Sequence, residues 1–259
     1  MVSEYSIPKL LKLKDYFTII GASLGIISLI CACTGNKHAI SLGFFLVTVA
    51  LGTDLIDGYI ARKTGTVNEM GKQLDSLSDS LTFGISPAIL TFQAFNLNGL
   101  FDVFLLITCV CFALGAILRL ARYNLHLNIG YTGVPTPISA LLVIIYFYAN
   151  YFYSLAYPLE NPAFPLIAYY AIPFFLIFIA WLNITTHISF GEKGKIIYII
   201  FILLAPLGPI FGIIGIINQD PLVSASVAIF FISSFSGLFV YILYGFVIKY
   251  KDSNSGVSN

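Results

Sequence analysis

The chain has 259 residues, of which 58% are hydrophobic and only 10% are charged, and its formal net charge is +1. So apolar a composition excludes an ordinary soluble globular domain. The sequence therefore predicts an integral membrane protein, and we expect no nucleic-acid partner.

Eight apolar stretches are long enough to cross a bilayer. They run approximately over Phe17–Thr34, Ala39–Arg62, Leu74–Phe95, Leu100–Ala121, Pro135–Ala156, Pro165–Leu182, Lys195–Ile217 and Ser224–Ile248. Residues 1–16 place Ile7, Leu10 and Leu11 at helical spacing among lysines, which predicts a short amphipathic helix at the membrane surface. We expect an all-α polytopic membrane helical bundle, with about eight transmembrane helices plus this N-terminal interfacial helix. Residues 1–259 form a single domain in this prediction, with a polar tail at 252–259.

The basic residues predict how the bundle is oriented. If the eight stretches alternate in direction, twelve of the thirteen Lys and Arg residues fall on one side, and only Lys37 falls on the other. Positive residues are enriched on the cytoplasmic side of membrane proteins. We therefore expect a multi-pass protein of the cytoplasmic membrane, with both termini and the loop between stretches two and three in the cytoplasm.

Four aspartates lie inside the second and third stretches, within a segment of 26 residues. Asp54 and Asp57 are three residues apart, and Asp75 and Asp79 are four apart, so each pair shares one face of its helix. A carboxylate at mid-helix costs about 2.5–3.5 kcal/mol in a bilayer unless it is compensated. Turn residues near Gly65 would bring the two pairs together.

Divalent cations would compensate such a cluster, because Mg²⁺ and Mn²⁺ prefer carboxylate oxygens. The alternative is a network of ion pairs that stabilises the bundle, but one nearby arginine cannot balance four acids. Arg119 and Arg122 end the fourth stretch on the same side and are three residues apart, so they should face the same way. They could anchor the span, or they could bind an anionic group of a substrate.

A fixed motif joins these features: D-x2-D-G-x2-A-R-x8-G-x3-D-x3-D. It is matched without departure by Asp54, Asp57, Gly58, Ala61, Arg62, Gly71, Asp75 and Asp79. This pattern resembles the motif of the CDP-alcohol phosphatidyltransferases, membrane enzymes that move a phosphatidyl group from a CDP-linked lipid to an alcohol. The runs at Leu74–Ala88, Leu120–Asn124 and Gly133–Pro137 are similar to the phosphatidylserine synthase branch of that family.

The resemblance implies roles for these residues. Asp54, Asp57, Asp75 and Asp79 would bind two divalent cations, Mg²⁺ or Mn²⁺, and Asp79 would also be the catalytic base for the hydroxyl of the acceptor. The CDP-lipid would be bound by Gly58, Ala61, Arg62, Asn68 and Gly71. Arg119 and Arg122 would contact the acceptor or the reacting phosphate.

The resemblance also implies partners. The donor would be CDP-diacylglycerol, or CDP-archaeol if the lipid is an isoprenoid ether, and the acceptor would be L-serine, which leaves CMP as the other product. The protein would contact membrane lipids and could form a homodimer.

Three alternatives remain open at this point. The acceptor could be glycerol 3-phosphate or inositol phosphate, although a phosphorylated acceptor calls for more basic residues than this chain has. The chain could instead be a divalent-cation transporter, whose acidic residues would line a path across the bilayer. It could also be an intramembrane prenyltransferase, although the Ala-Arg and Gly positions of the motif fit that class poorly.

Overall fold

A computed structural model describes residues 7–65, 69–125, 133–158, 163–188, 210, 217 and 220–254 of the chain. These ranges are built of helices and contain no strand. The helices are α1 Ile7–Leu10, α2 Leu13–Cys33, α3 Lys37–Thr64, α4 Glu69–Asp79, a π-helical segment Ser80–Ile85, α5 Ser86–Phe95, α6 Phe101–Asn124, α7 Thr136–Ala156, α8 Leu166–Ile184 and α9 Pro221–Asn254.

Six of the described helices are long and apolar enough to cross a membrane, namely α2, α3, α6, α7, α8 and α9. The third predicted span corresponds to the continuous run from α4 through the π-helical segment to α5. The seventh predicted span, Lys195–Ile217, lies almost wholly outside the described residues. The prediction of an all-α, multi-pass membrane bundle is therefore confirmed, with the number of eight spans as an approximation.

The first spanning helix begins earlier than the sequence predicted. Within the described part of the predicted interfacial helix there is one helical turn, α1, while residues 1–6 lie outside the described residues. Helix α2 starts at Leu13 rather than near Phe17. The backbone N–H of Lys12 donates a 2.7 Å hydrogen bond to Oδ2 of Asp15, which satisfies a donor at the start of α2. At the other end α9 continues to Asn254, three residues into the predicted polar tail.

Helix α2 packs parallel to the run from α4 to α5, along a ladder of hydroxyl groups that donate to backbone carbonyls. The three bonds are Ser78 to Thr18 O at 3.2 Å, Thr82 to Gly21 O at 3.3 Å and Ser86 to Gly25 O at 3.1 Å. The donors are four residues apart, so they lie on one face of the run. Small residues on α2 allow this close approach, as is common between membrane helices.

The π-helical segment follows directly after Asp79. It is marked by the bond from the backbone N–H of Ser86 to the carbonyl of Leu81, five residues back. Pro87 comes next and has no N–H to donate, and its ring would crowd the carbonyl four residues earlier in a regular α-helix. The wider turn removes that conflict. Such π turns are frequent beside functional sites.

Helix α7 forms the centre of the bundle, and most of its side chains are buried. Aromatic rings in its C-terminal half pack on neighbouring helices. Phe147 stacks on Phe44 of α3 with ring centroids 4.3 Å apart, and Tyr148 stacks on Phe231 of α9 with centroids 5.3 Å apart. The Tyr148 hydroxyl donates a 2.9 Å bond to Ser41 O. Ser41 and Phe44 lie ten or more residues before Asp54 on α3, so the polar site is built toward the other end of that helix.

Candidate functional site

Three carboxylates from α3 and α4 lie close together. One oxygen each from Asp54, Asp57 and Asp75 lies within 4.8 Å of the other two. The approach depends on a helix end at Gly65, whose φ of 62° is in the left-handed region that suits glycine. The prediction that the turn brings the two aspartate pairs together is confirmed for these three residues.

Asp79 borders the same small cavity of about 10 Å³, which is close to the size of one water molecule or ion. It also interacts electrostatically with the other three aspartates. The cavity is lined by Thr18, Gly21, Ala50, Thr53, Asp54, Asp57, Asp75, Ser78, Asp79, Thr82 and Phe83. It therefore lies between α2, α3, α4 and the π-helical segment, and four of its lining groups are carboxylates.

These donors fit divalent cations. Oxygen ligands on opposite sides of one Mg²⁺ lie roughly 4 Å apart, given a metal–oxygen distance of about 2.0–2.1 Å. The 4.8 Å spread of the three carboxylate oxygens is close to that separation and needs only a small side-chain adjustment. The hard oxygen donors match magnesium or manganese, while the identity of the ion stays a prediction.

Thr18 on α2 also contacts the cluster. Its hydroxyl donates a 2.8 Å hydrogen bond to Oδ2 of Asp57, and both side chains are buried. The bond leaves the other oxygen of Asp57 as the one better able to bind a cation. Sequence analysis did not single out Thr18, because it lies 39 residues before Asp57 and outside the motif.

Lys14 and Asp15 lie one turn before Thr18 and were also missed. Their side chains form a 2.8 Å ion pair, and both residues are buried. The sequence counted Lys14 only among the basic residues that orient the first span. Its position four residues before Thr18, on the same face of α2, is the signal that could have connected it to the site.

The residues predicted to bind the CDP-lipid lie on the two helices of the site. Gly58 and Ala61 are partly exposed on α3 beyond Asp57, Arg62 follows on the same helix, and Gly71 is buried in α4. Asn68 lies outside the described residues. Four of the five therefore lie on the two helices that carry the aspartates, and their role in binding stays a prediction.

Arg119 approaches the acidic site from α6. Its Nη1 donates a 3.2 Å hydrogen bond to the hydroxyl of Thr136, at the start of α7, and it interacts electrostatically with Asp79. Its Nε is buried and has no hydrogen-bond partner among the described residues. Arg119 thus offers a donor beside the cavity, as an anionic substrate group would require.

Arg122 has different partners, although it shares a helix with Arg119. Its Nη1 donates a 2.7 Å bond to Ile184 O, and Nη2 donates a 3.3 Å bond to Asn183 O. These carbonyls end α8, where a cation is favoured by the helix dipole. The two arginines therefore have separate hydrogen-bond partners, and Arg122 joins α6 to α8. Their predicted contact with the acceptor or the reacting phosphate stays a prediction.

Comparison with known proteins shows which family and which relatives the chain resembles. A family model described as CDP-alcohol phosphatidyltransferase matches residues 11–191, which contain the acidic cluster and both arginines. The "CDP-diacylglycerol–serine O-phosphatidyltransferase" of Methanocaldococcus jannaschii is 36% identical over 141 residues, or 54% of this chain and 62% of the relative. The "Archaetidylserine synthase" of Methanothermobacter thermautotrophicus is 34% identical over 161 residues, or 60% and 65%.

A relative from Saccharomyces cerevisiae, also named "CDP-diacylglycerol–serine O-phosphatidyltransferase", is 30% identical over 54% of this chain and 55% of its own length. The chain thus spans less than two thirds of the length of these curated relatives. The family model, in contrast, covers more than half of the chain and all of the acidic motif. With the four aspartates in one cavity, this match shows that the chain belongs to the CDP-alcohol phosphatidyltransferase family.

Proposed function

We propose that this protein transfers a phosphatidyl group from a CDP-linked lipid to the hydroxyl of L-serine and releases CMP. The observation that carries the proposal is the convergence of Asp54, Asp57, Asp75 and Asp79 on one cavity at the end of the α3–α4 pair. A diphosphate is the substrate group that a dicationic site of this kind is suited to bind.

Serine as the acceptor is supported by the names of the relatives. Two are named for a serine O-phosphatidyltransferase and a third for an archaetidylserine synthase. The three names share serine and differ in the lipid. We therefore propose CDP-diacylglycerol as the donor and CDP-archaeol as the alternative, since both present the same diphosphate to the site.

The four aspartates would hold two divalent cations, Mg²⁺ or Mn²⁺. These aspartates would hold the cations beside the diphosphate, and the cations would supply the positive charge that offsets the charge on the departing CMP. Asp79 would accept the proton of the serine hydroxyl as its oxygen forms a bond to the lipid-side phosphorus. The bond from that phosphorus to the CMP oxygen breaks in the same exchange.

The chain's other residues would bind and orient the substrates. The small side chains of Gly58, Ala61 and Gly71 leave room for the nucleotide along α3 and α4, and Arg62 could pair with its phosphates. Arg119 would bind the serine carboxylate, because it interacts electrostatically with Asp79 and its buried Nε has no hydrogen-bond partner among the described residues. That contact would place the serine hydroxyl near Asp79.

The distribution of charge supports a cytoplasmic site. Basic residues lie near the helix ends on the side of the aspartates. These are Lys12 and Lys14 at the start of α2, Lys63 at the end of α3, Lys72 near the start of α4, and Arg119 and Arg122 toward the end of α6. We propose that this end faces the cytoplasm, where serine and CDP-lipid head groups are accessible, and that the protein lies in the cytoplasmic membrane.

The test is CMP release by the purified protein in detergent with CDP-diacylglycerol and Mn²⁺ or Mg²⁺. Serine, glycerol 3-phosphate, inositol phosphate and buffer alone are compared as acceptors, with Asp79→Asn as the inactive variant. Serine-dependent release that stops on addition of a chelator and is absent in the variant would support the proposal. A repeat with CDP-archaeol compares the two donors.

Other outcomes would replace the proposal. CMP release with a phosphorylated acceptor and none with serine would keep the family and overturn serine as the acceptor. If every combination of donor and acceptor is silent, the protein is reconstituted in vesicles and Mn²⁺ uptake is measured. Uptake that depends on Asp57 would favour a divalent-cation transporter.

A further inference from the structure

The start of α2 carries a buried ion pair beside the acidic cavity. Nζ of Lys14 lies 2.8 Å from Oδ1 of Asp15, and the two residues are 7% and 0% exposed. Removing two charges from water is costly, and the attraction between them does not reliably offset that cost. Neither residue belongs to the family motif, so the burial of this pair has no explanation in the proposed chemistry alone.

The position of the Lys14–Asp15 pair offers an explanation for its burial. Thr18, one turn further along the same face of α2, donates directly to Asp57. Lys14 interacts electrostatically with both Asp57 and Asp75, and Asp15 interacts with Asp75. The pair therefore adds one positive and one negative charge at the edge of the cluster.

Asp15 is held by two contacts. One oxygen accepts the backbone N–H of Lys12, and the other meets the ammonium of Lys14. The first contact fixes the carboxylate to the start of the helix, and the second holds the lysine near the cavity. Lys14 is thus restrained beside Asp57 and Asp75 and does not extend freely into solvent.

We infer that Lys14 and Asp15 are positioning residues that set the cation affinity of the acidic site, Lys14 by weakening it and Asp15 by strengthening it. The inference rests on the proposed function, because it assumes that divalent cations bind there. Lys14 repels a cation held by Asp57 and Asp75, and it also limits repulsion among the carboxylates when no cation is bound. Asp15 attracts the cation and partly offsets the charge of Lys14.

The test measures binding of Mn²⁺ alone to the full chain in detergent, from the loss of the electron paramagnetic resonance signal of free aqueous Mn²⁺. Lys14→Met should lower the dissociation constant about fivefold, and Asp15→Asn should raise it about fivefold, as expected for a screened charge a short distance away. Lys14→Arg keeps the charge and should bind Mn²⁺ as the unchanged protein does. If Lys14→Met does not fold, Lys14→Gln replaces it with the same expected shift.

The opposite signs separate this role from a structural one. A pair that only stabilises α2 would weaken binding in both variants, and that result would overturn the inference. An effect of Lys14→Arg as large as that of Lys14→Met would also overturn it. Mn²⁺ could bind the unchanged protein and not Asp57→Asn, while Lys14→Met and Asp15→Asn do not shift the dissociation constant in opposite directions. In that case this inference fails and the proposed function stands. If the unchanged protein binds no Mn²⁺, the proposed function fails with it.

Discussion

The hydroxyl of Thr18 lies 2.8 Å from Oδ2 of Asp57 and donates a hydrogen bond to it, which connects the first spanning helix to the acidic cluster. A carboxylate with one oxygen held in this way has less rotational freedom to lose when its second oxygen binds a cation. Groups that orient metal ligands from outside often affect binding strongly. Thr18 is therefore part of the site, although it contributes no carboxylate.

Replacing Thr18 by valine tests this contact, because valine has the shape of threonine without the hydroxyl. Loss of a group that orients a metal ligand typically costs about 10–100-fold in metal affinity, so we expect Mn²⁺ to bind at least roughly tenfold more weakly. Calorimetry of Mn²⁺ binding in detergent measures the change. Thr18→Ser keeps the hydroxyl and should restore most of the affinity. Equal binding by the valine variant would show that Asp57 is oriented without Thr18.

Asp79 is the residue proposed to take the proton of the acceptor. Asp79→Asn should lower serine-dependent CMP release by about 10²–10⁴-fold, the usual contribution of a general base. Asp54, Asp57 and Asp75 remain, so cation binding should be weakened but not abolished. Measuring both CMP release and cation binding distinguishes a variant that lacks only the catalytic base from one that no longer binds cations.

Glu69→Gln is the matched control for this variant. Glu69 is an exposed acid at the start of the same helix, and it does not line the acidic cavity. Its replacement should leave CMP release within about twofold of the unchanged protein, as is usual for exposed surface positions. If Asp79→Asn is as active as this control, another group takes the proton.

The acidic site could be predicted from sequence because its parts are close in the chain. Helical spacing puts each aspartate pair on one face, and few residues separate the end of α3 at Thr64 from the start of α4 at Glu69. Thr18, Lys14 and Asp15 could not be found in this way, because an apolar helix does not reveal which of its faces meets a site nearly 40 residues later. The packing of α2 on α3 and α4 in the structure shows which face of α2 meets the site.

The roles of the two arginines needed structure for a related reason. Their spacing of three residues on α6 predicts that both side chains point to the same side of the helix. Only the positions of α7 and α8 show that Arg119 meets Thr136 while Arg122 meets the last carbonyls of α8. The two residues can therefore be separated by experiment.

Arg119→Gln should raise the KM for serine at least tenfold with little change in thermal stability, because it removes the proposed partner of the serine carboxylate. Arg122→Gln should mainly lower the unfolding temperature, because it removes two charge-assisted bonds to α8, a type of bond that contributes about 1.5–3 kcal/mol when it is shielded from water. Kinetics at varied serine and thermal unfolding in detergent are measured on both. A rise in KM for Arg122→Gln without loss of stability would assign it to the acceptor instead.

The hydroxyl ladder between α2 and the π-helical segment depends on Gly25. A Cβ at this position would lie 2.6 Å from Oγ1 of Thr82 and 3.2 Å from its Cα, so part of the clash is with backbone and cannot be relieved by a rotamer change. Gly25→Ala should separate the helices, weaken the bond from Thr82 to Gly21 O and lower the unfolding free energy by about 1–3 kcal/mol. Thermal unfolding in detergent measures the loss.

Gly237→Ala provides the control for this prediction. Gly237 lies in α9, and a Cβ there would have no neighbour within 4 Å, so the same change should leave the unfolding temperature almost unchanged. Because the ladder runs alongside the aspartates, Gly25→Ala should also weaken Mn²⁺ binding by displacing Thr18 from Asp57, whereas Gly237→Ala should not. Unchanged stability and Mn²⁺ binding in Gly25→Ala would show that α2 can move away from Thr82 without disturbing the ladder or the site.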